Sequence, residues 1–230
     1  MIEGGVVFRV RGERNISLQS NTVLTENAYE YILNQILDGR IKPGERIRED
    51  VIAEQMGTSR TPVREAVNQL AQNGFIDYVK RKGLYCVQLS RQELIDLLEL
   101  RQVLEEFCYI KCTERASKED IKRMYDHIYA FQALPREEQI KLHTHYDVQF
   151  HLMAADISNS RRLIKYINEI ETLALIVRKN LKDSKRMEEV IDLSWILHLN
   201  IVKAIEEKDI RTIKENNDEH IKLMKDTQLL

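Results

Sequence analysis

Apolar and polar positions along this chain follow two different regimes, which meet near residue 89. From Glu26 to Asp38, apolar residues recur at Ala28, Tyr29, Ile32, Leu33, Ile36 and Leu37. Spacings of three and four predict one helix with a single buried face. Gly39 stops it, and Lys42-Pro43-Gly44-Glu45 reads as a tight turn. Glu49 to Met56 predicts a short second helix, with Val51, Ile52 and Met56 apolar. Gly57-Thr58 supplies a turn, Ser59 or Thr61 can cap the next helix, and Pro62 falls in its first turn, where a missing amide hydrogen is harmless.

In that third helix Val63, Ala66, Val67 and Leu70 share one side, and Arg60, Thr61, Arg64 and Asn68 the other. Asn73-Gly74 ends it. Phe75–Val79 and Leu84–Val87 are short β-prone runs separated by Lys80-Arg81-Lys82-Gly83, a basic hairpin tip. Three helices followed by such a ribbon make a winged helix-turn-helix.

The second half contains no glycine, because all eight lie at or before Gly83, and Pro135 is its one proline. Without these punctuators the pattern predicts long helices with short polar links. Aliphatics three and four apart place six of them at about 91–115, 118–133, 137–157, 160–182, 187–207 and 209–228. The predicted fold is mainly α: an N-terminal winged helix-turn-helix (21–88), a link (89–92) and an all-helical antiparallel bundle (93–230). Residues 1–20, with Gly4, Gly5 and Gly12, read as a flexible arm.

Composition adds boundaries. With 43% hydrophobic and 31% charged residues over 230 positions, the chain reads as globular. No apolar run approaches the roughly 18 residues of a membrane span, and no signal-peptide core is visible, so a cytoplasmic location is expected. Cys86, Cys108 and Cys112 form no disulfide framework and read as buried thiols in a reducing compartment.

The net charge of −2 argues against a nucleic-acid partner only if taken over the whole chain. Residues 21–88 hold nine Lys/Arg and nine Asp/Glu, yet Arg60, Arg64, Lys80, Arg81 and Lys82 cluster around the third helix. Local sign governs phosphate attraction within a Debye length. Arg60 and Arg64 lie near the N-terminus of that helix, the end that enters the major groove in helix-turn-helix proteins. A guanidinium there can bond guanine O6 and N7 or hold phosphate. Ser59, Thr61, Lys82 and Gly83 suit backbone contacts, with Arg46 and Arg48 as further phosphate candidates. The competing reading is a structural three-helix unit with solvated arginines.

In the helical half, Asp147 and His151 are four apart and share one helix face. His198 and His220 lie on the fifth and sixth predicted helices, beside Val202 and Ile205 and beside Leu223 and Met224. Three imidazoles and a carboxylate suit a divalent ion, Zn²⁺ first, with Ni²⁺ or Mn²⁺ as alternatives. His143, one turn before Asp147, competes for a place; His145 and His127 read as surface residues and Trp195 as core. A metal-dependent hydrolase or oxygenase with a DNA-binding appendage is the alternative, although neither a Glu-x-x-His pair nor a general base is evident.

The run Lys42-Pro43-Gly44, Ser59-Arg60-Thr61-Pro62-Val63-Arg64-Glu65-Ala66, Leu70 and Gly74 resembles the winged helix of GntR-family bacterial transcription regulators, over residues 24–88. The resemblance implies operator contacts from Arg60, Thr61 and Arg64, with Gly83 at the wing tip. Asp50 departs from it, standing where some relatives have another DNA-contacting arginine. Residues 90–225 resemble the FCD ligand-binding domain of the FadR-like branch, in its six-helix, VanR-like version. That implies a metal on Asp147, His151, His198 and His220. It also implies an arginine, here Arg101, facing a small organic-acid effector, although Arg101 can equally form an exposed salt bridge to Glu105. Arg178 is a weaker candidate for the effector. The expected whole is a homodimeric regulator, a repressor, on palindromic double-stranded operator DNA.

Overall fold

The computed structural model describes the backbone of residues 19–178 and 184–228, and side chains over a slightly narrower range. The expected arm lies almost wholly outside the described residues. The described residues divide into two compact units, 1–88 and 89–230.

In the first unit, α1 (Gln19–Leu37), α2 (Glu49–Gln55) and α3 (Arg60–Gln72) precede β1 (Ile76–Val79) and β2 (Gly83–Cys86). Helix α1 starts well before Glu26. Thr25, buried in its added turns, donates its hydroxyl to Glu65 Oε2 on α3 at 2.8 Å, which ties that extension to the unit. Ala28, Ile32 and Ile36 of α1 and Val63, Ala66, Val67 and Leu70 of α3 are buried, as the periodicity requires. Ser59 holds the N-cap position of α3, but its side chain makes no capping hydrogen bond, so the hydroxyl stays available at the surface. The strands pair antiparallel with Ile76 opposite Cys86 and Val79 opposite Gly83. Glu45–Ile47 lies along β2 through Ile47 N to Leu84 O at 2.8 Å and Cys86 N to Glu45 O at 2.8 Å. That pairing is too short for a period-2 pattern to disclose.

The second unit comprises α4 (Arg91–Arg115), α5 (Lys118–Gln132), α6 (Arg136–Ile157), α7 (Arg161–Arg178), α8 (Ser184–Glu207) and α9 (Ile210–Gln228). Six helices are thus present among the described residues, the number expected of the smaller version. The link is shorter than expected, because Arg91 and Gln92 already belong to α4. Ser90 closes a capping box in which it accepts from Glu93 N while Glu93 Oε2 accepts from Ser90 N at 2.7 Å. Ser117 and Asp120 repeat the device at α5. Tyr109, Phe131, Phe150, Trp195, Ile201 and Val202 anchor the main core cluster. The three cysteines are free and buried, and Cys112 donates to Ala154 O.

The caps at Ser90 and Ser117 each satisfy amides that a helix start leaves open. Ser117→Ala is expected to destabilise the full chain by about 1 kcal/mol, read as a lower urea midpoint for the loss of helical circular dichroism at unchanged slope.

Candidate metal centre and DNA-reading surface

Helix α6 interrupts its apolar face with His143, Asp147 and His151, one turn apart, and all three are buried. His198 of α8 and His220 of α9 meet them, each 0% exposed. Asp147 Oδ1 lies 3.5 Å from His151 Nε2, 3.5 Å from His198 Nε2 and 3.6 Å from His220 Nε2. Each of the four residues offers an atom within 4.8 Å of the others. Zinc bonds of about 2.0–2.1 Å in a tetrahedron require donor–donor edges of roughly 3.3–3.4 Å, so this donor set fits such an ion in spacing and in chemistry.

The surroundings prepare these donors. Tyr109 Oη lies 2.7 Å from His151 Nδ1, and Glu105 Oε1 lies 3.0 Å from the same nitrogen, so Nε2 is the atom left to face Asp147. Neither nitrogen of His198 has a hydrogen-bond partner among the described residues, although both are buried. Its ring stacks on Phe150 at 4.2 Å between centroids and meets Trp195 edge-on at 5.0 Å. Ser194 Oγ lies 3.0 Å from His220 Nε2. Burial pushes His198 well below the ordinary imidazole range and, less strongly, His220, so both rings are neutral donors. Burial also pushes His151 down, but the Glu105 carboxylate prevails and raises it to about 9.

Arg101 is not on the surface. It is 0% exposed, with Nε 2.6 Å from Glu105 Oε1 and 2.8 Å from Glu171 Oε1, and Nη2 3.9 Å from Asp147 Oδ2. The exposed Arg101–Glu105 pair is therefore corrected to a buried network beside the four donors. Burial pushes the Glu105 carboxyl up, yet Arg101 and His151 hold it below its ordinary value.

His143 accepts from Trp195 Nε1 at 3.2 Å and belongs to an aromatic shell, outside the four-donor grouping. His127 and His145 are half-buried rather than surface residues. His127 stacks on Tyr146 at 5.0 Å because α5 and α6 pack there. The Arg178 side chain lies outside the described ones. Sequence reading missed Glu171, Glu105, Tyr109 and Ser194 as neighbours of the site. Glu171 did leave a signal, since it falls on the α7 face defined by Ile167, Ile170 and Ala174.

In the first unit, Ser59, Arg60, Thr61 and Arg64 are exposed along one side of α3, and no described residue pairs with either arginine. Arg46, Arg48, Asp50, Arg60 and Gly83 line a cleft of about 600 Å³. Two positive-φ residues, Arg81 at 65° and Gly83 at 114°, shape the wing tip. Gly83 is needed for its backbone angle, which L side chains rarely adopt; a Cβ there would meet Arg46 Nε only at an ordinary contact distance of 3.5 Å. Lys80, Arg81 and Lys82 are exposed at that tip. Arg48 Nη2 is 3.4 Å from Asp50 Oδ2, an exposed pair that reduces the positive charge of the cleft at the position where the sequence departs from its resemblance.

A winged helix with exposed cations on its third helix, followed in the chain by a helical bundle enclosing a polar site, defines the class of a DNA-binding protein with a second, helical domain. The family described as "Bacterial regulatory proteins, gntR family" matches residues 24–86, and the "FCD domain" matches residues 96–223. The chain belongs to the GntR family of bacterial transcription regulators, with an FCD domain as its second unit. It is 31% identical to the Nta operon transcriptional regulator of Aminobacter aminovorans over 170 residues, 73% of this chain and 76% of that one. To the HTH-type transcriptional regulator YdhC of Bacillus subtilis it is 25% identical over 206 residues, 84% and 89% of the two chains. The solved structure of E. coli McbR/YncC shares the fold at a TM-score of 0.71 and 20% identity, over 86% of this chain and 93% of that one. These families and relatives are regulators, which sets aside the hydrolase or oxygenase alternative.

Trp195 is the sole tryptophan and touches His198, so it reports on the donor set. Adding Zn²⁺ to chelator-treated protein is expected to change its emission with saturation at one equivalent per chain. The change should be lost in Asp147→Ala.

Proposed function

We propose that this protein is a homodimeric, cytoplasmic repressor whose operator affinity is set by a small organic acid bound beside a divalent ion in the helical unit. Asp147, His151, His198 and His220 hold the ion, Zn²⁺ being the best match to three imidazoles and one carboxylate, with Ni²⁺ and Mn²⁺ as alternatives. The ion supplies a Lewis-acid anchor for a ligand oxygen. Arg101 supplies the second anchor, through a guanidinium whose Nη1 and Nη2 are buried and make no hydrogen bond. The observation that carries this reading is that buried four-donor cluster with a buried arginine against it. A regulator whose job ended at DNA would have no use for so polar a core.

On the operator side, Arg60 and Arg64 read base edges. Ser59, Thr61, Arg46, Arg48, Lys82 and Gly83 hold the backbone around the cleft. The acidic Asp50 beside Arg48 gives this reader a preference different from that of relatives with an arginine there. Two copies are needed to read a palindrome. An apolar stripe supports that reading: Leu100, Val103 and Phe107 lie three and four apart on α4, and are 51%, 65% and 48% exposed. Three large apolar side chains in a row on one helix are what an isologous helix-on-helix contact requires.

The experiment separates the two halves. With a duplex selected from random sequences by the full chain, Arg64→Ala is expected to lose about ten- to a hundredfold in operator affinity by gel shift, with metal content unchanged. Asp147→Ala is expected to lose the metal, measured by elemental analysis, and the effector response, while retaining the operator complex. Normal metal content in Asp147→Ala removes the assigned site.

The apolar stripe makes its own prediction. Val103→Glu places a charge at the proposed two-fold contact and is expected to yield a monomer by light scattering, with palindrome binding weakened and helical content intact.

A further inference from the structure

The polar cluster of the helical unit holds more carboxylate than its proposed ion needs. Asp147 belongs to the four-donor set, but Glu105 of α4 and Glu171 of α7 are also 1% and 0% exposed. Both reach the same guanidinium, at 2.6 and 2.8 Å from Arg101 Nε. Together with His151 they form a second grouping of atoms within 4.8 Å of one another. Three carboxylates against one guanidinium and one divalent ion sum to no net charge. A simple monocarboxylate entering this site would leave one uncompensated negative charge away from water, a large penalty. A zwitterion adds none.

Both poles of such a ligand have partners in place. Arg101 Nη1 and Nη2 are buried donors without a hydrogen-bond partner among the described residues, and suit a carboxylate. Glu105 Oε2 is a buried acceptor without one, and Glu171 stands with it on the same guanidinium, so the two suit an ammonium group. The poles are adjacent because Arg101 touches both glutamates, which matches an amine on the carbon next to the carboxylate. A second metal ion fits the glutamates less well. His151 Nδ1 already meets Tyr109 and Glu105 while Nε2 faces Asp147, so one ring would serve two cations with Arg101 between the glutamates.

We propose that the helical unit recognises an amine-bearing organic acid of the α-amino acid class, Glu171 and Glu105 holding its ammonium group and Arg101 its carboxylate. This rests on the reading of the bundle as the effector-binding unit and narrows the effector from organic acids in general.

The test uses the zinc-loaded full chain and matched ligand pairs that differ only in the amine. Alanine with propionate, aspartate with succinate and glutamate with glutarate begin a series covering the common amino acids, each titrated by calorimetry. At least one amine-bearing member is expected to bind about ten- to a hundredfold tighter than its partner, the range of one hydrogen bond to a charged group. Glu171→Gln should erase most of that difference with zinc still at one per chain. If that variant does not fold, the comparison within the unmutated protein decides alone. Equal or tighter binding of the deaminated acids, no binding by any amine-bearing member, or an undiminished preference in Glu171→Gln overturns the proposal. A chain that takes up no zinc refutes the metal reading instead. The same pairs titrated without zinc then decide the amine preference, because both glutamates and Arg101 belong to the chain itself.

Discussion

Burial of Arg101 with Glu105, Glu171 and Asp147 is the constraint around which the helical unit is arranged. Each ion taken from water into a bundle core carries a penalty of several kcal/mol, even after relaxation. The penalty is offset only where geometry is tight, and here Arg101 Nε has carboxylate oxygens at 2.6 and 2.8 Å. Five helices therefore have to hold their registers: α4 for Arg101 and Glu105, α6 for Asp147 and His151, α7 for Glu171, α8 for His198 and α9 for His220. A one-turn slip of α4, α6 or α7 would strand a charge. The aromatic side chains of Phe150, Trp195 and Phe131 pack around the polar group and exclude water from it.

The winged unit follows the opposite rule. Its helix α3 buries an unbroken aliphatic face and sends every charge outward, so Arg60 and Arg64 have no ion-pair partner among the described residues. Unpaired exposed cations contribute little to folding, and exposed pairs contribute only tenths of a kcal/mol. They are retained at a fixed spacing by a rigid helix, which is what contact with a regular duplex demands. Arg48 is the exception, held at 3.4 Å by Asp50, and so presents less charge to the same cleft.

Much of this was legible in the sequence because periodicity reports burial directly. The apolar face of α3, the glycine-free bundle and the i,i+4 pair Asp147–His151 follow from residue spacing, and His198 and His220 from their aliphatic neighbours. Glu105 and Glu171 were harder to place. A glutamate on a helix is ordinarily solvated; the burial of Glu171 depends on Arg101, seventy positions earlier, and that of Glu105 on the same guanidinium being drawn inside. Arg101 was ambiguous for the same reason, since an i,i+4 Arg–Glu pair looks identical exposed or buried until a third group, Glu171, is brought against it. His127 and His143 likewise became aromatic-shell residues only when α5, α6 and α8 packed together. Long-range charge compensation leaves no local period, so it escapes a pattern reading.

Under the proposed function, a small ligand governs a large duplex contact at modest energetic cost. A tenfold change in operator affinity requires only about 1.4 kcal/mol of differential binding between two conformations. One hydrogen bond to a charged group is worth about 1.5–3 kcal/mol, so a single bond made in one conformation and lost in the other is sufficient. The cluster concentrates such bonds where water cannot replace them, on side chains carried by five helices. Under the proposed function, a ligand bridging Arg101 and an ion on the histidines would act on the spacing of those helices. Packed helices have few alternative registers to adopt. That combination, strong local bonds on a scaffold with few states, is what the proposed function relies on to turn occupancy of a buried site into a change in operator affinity.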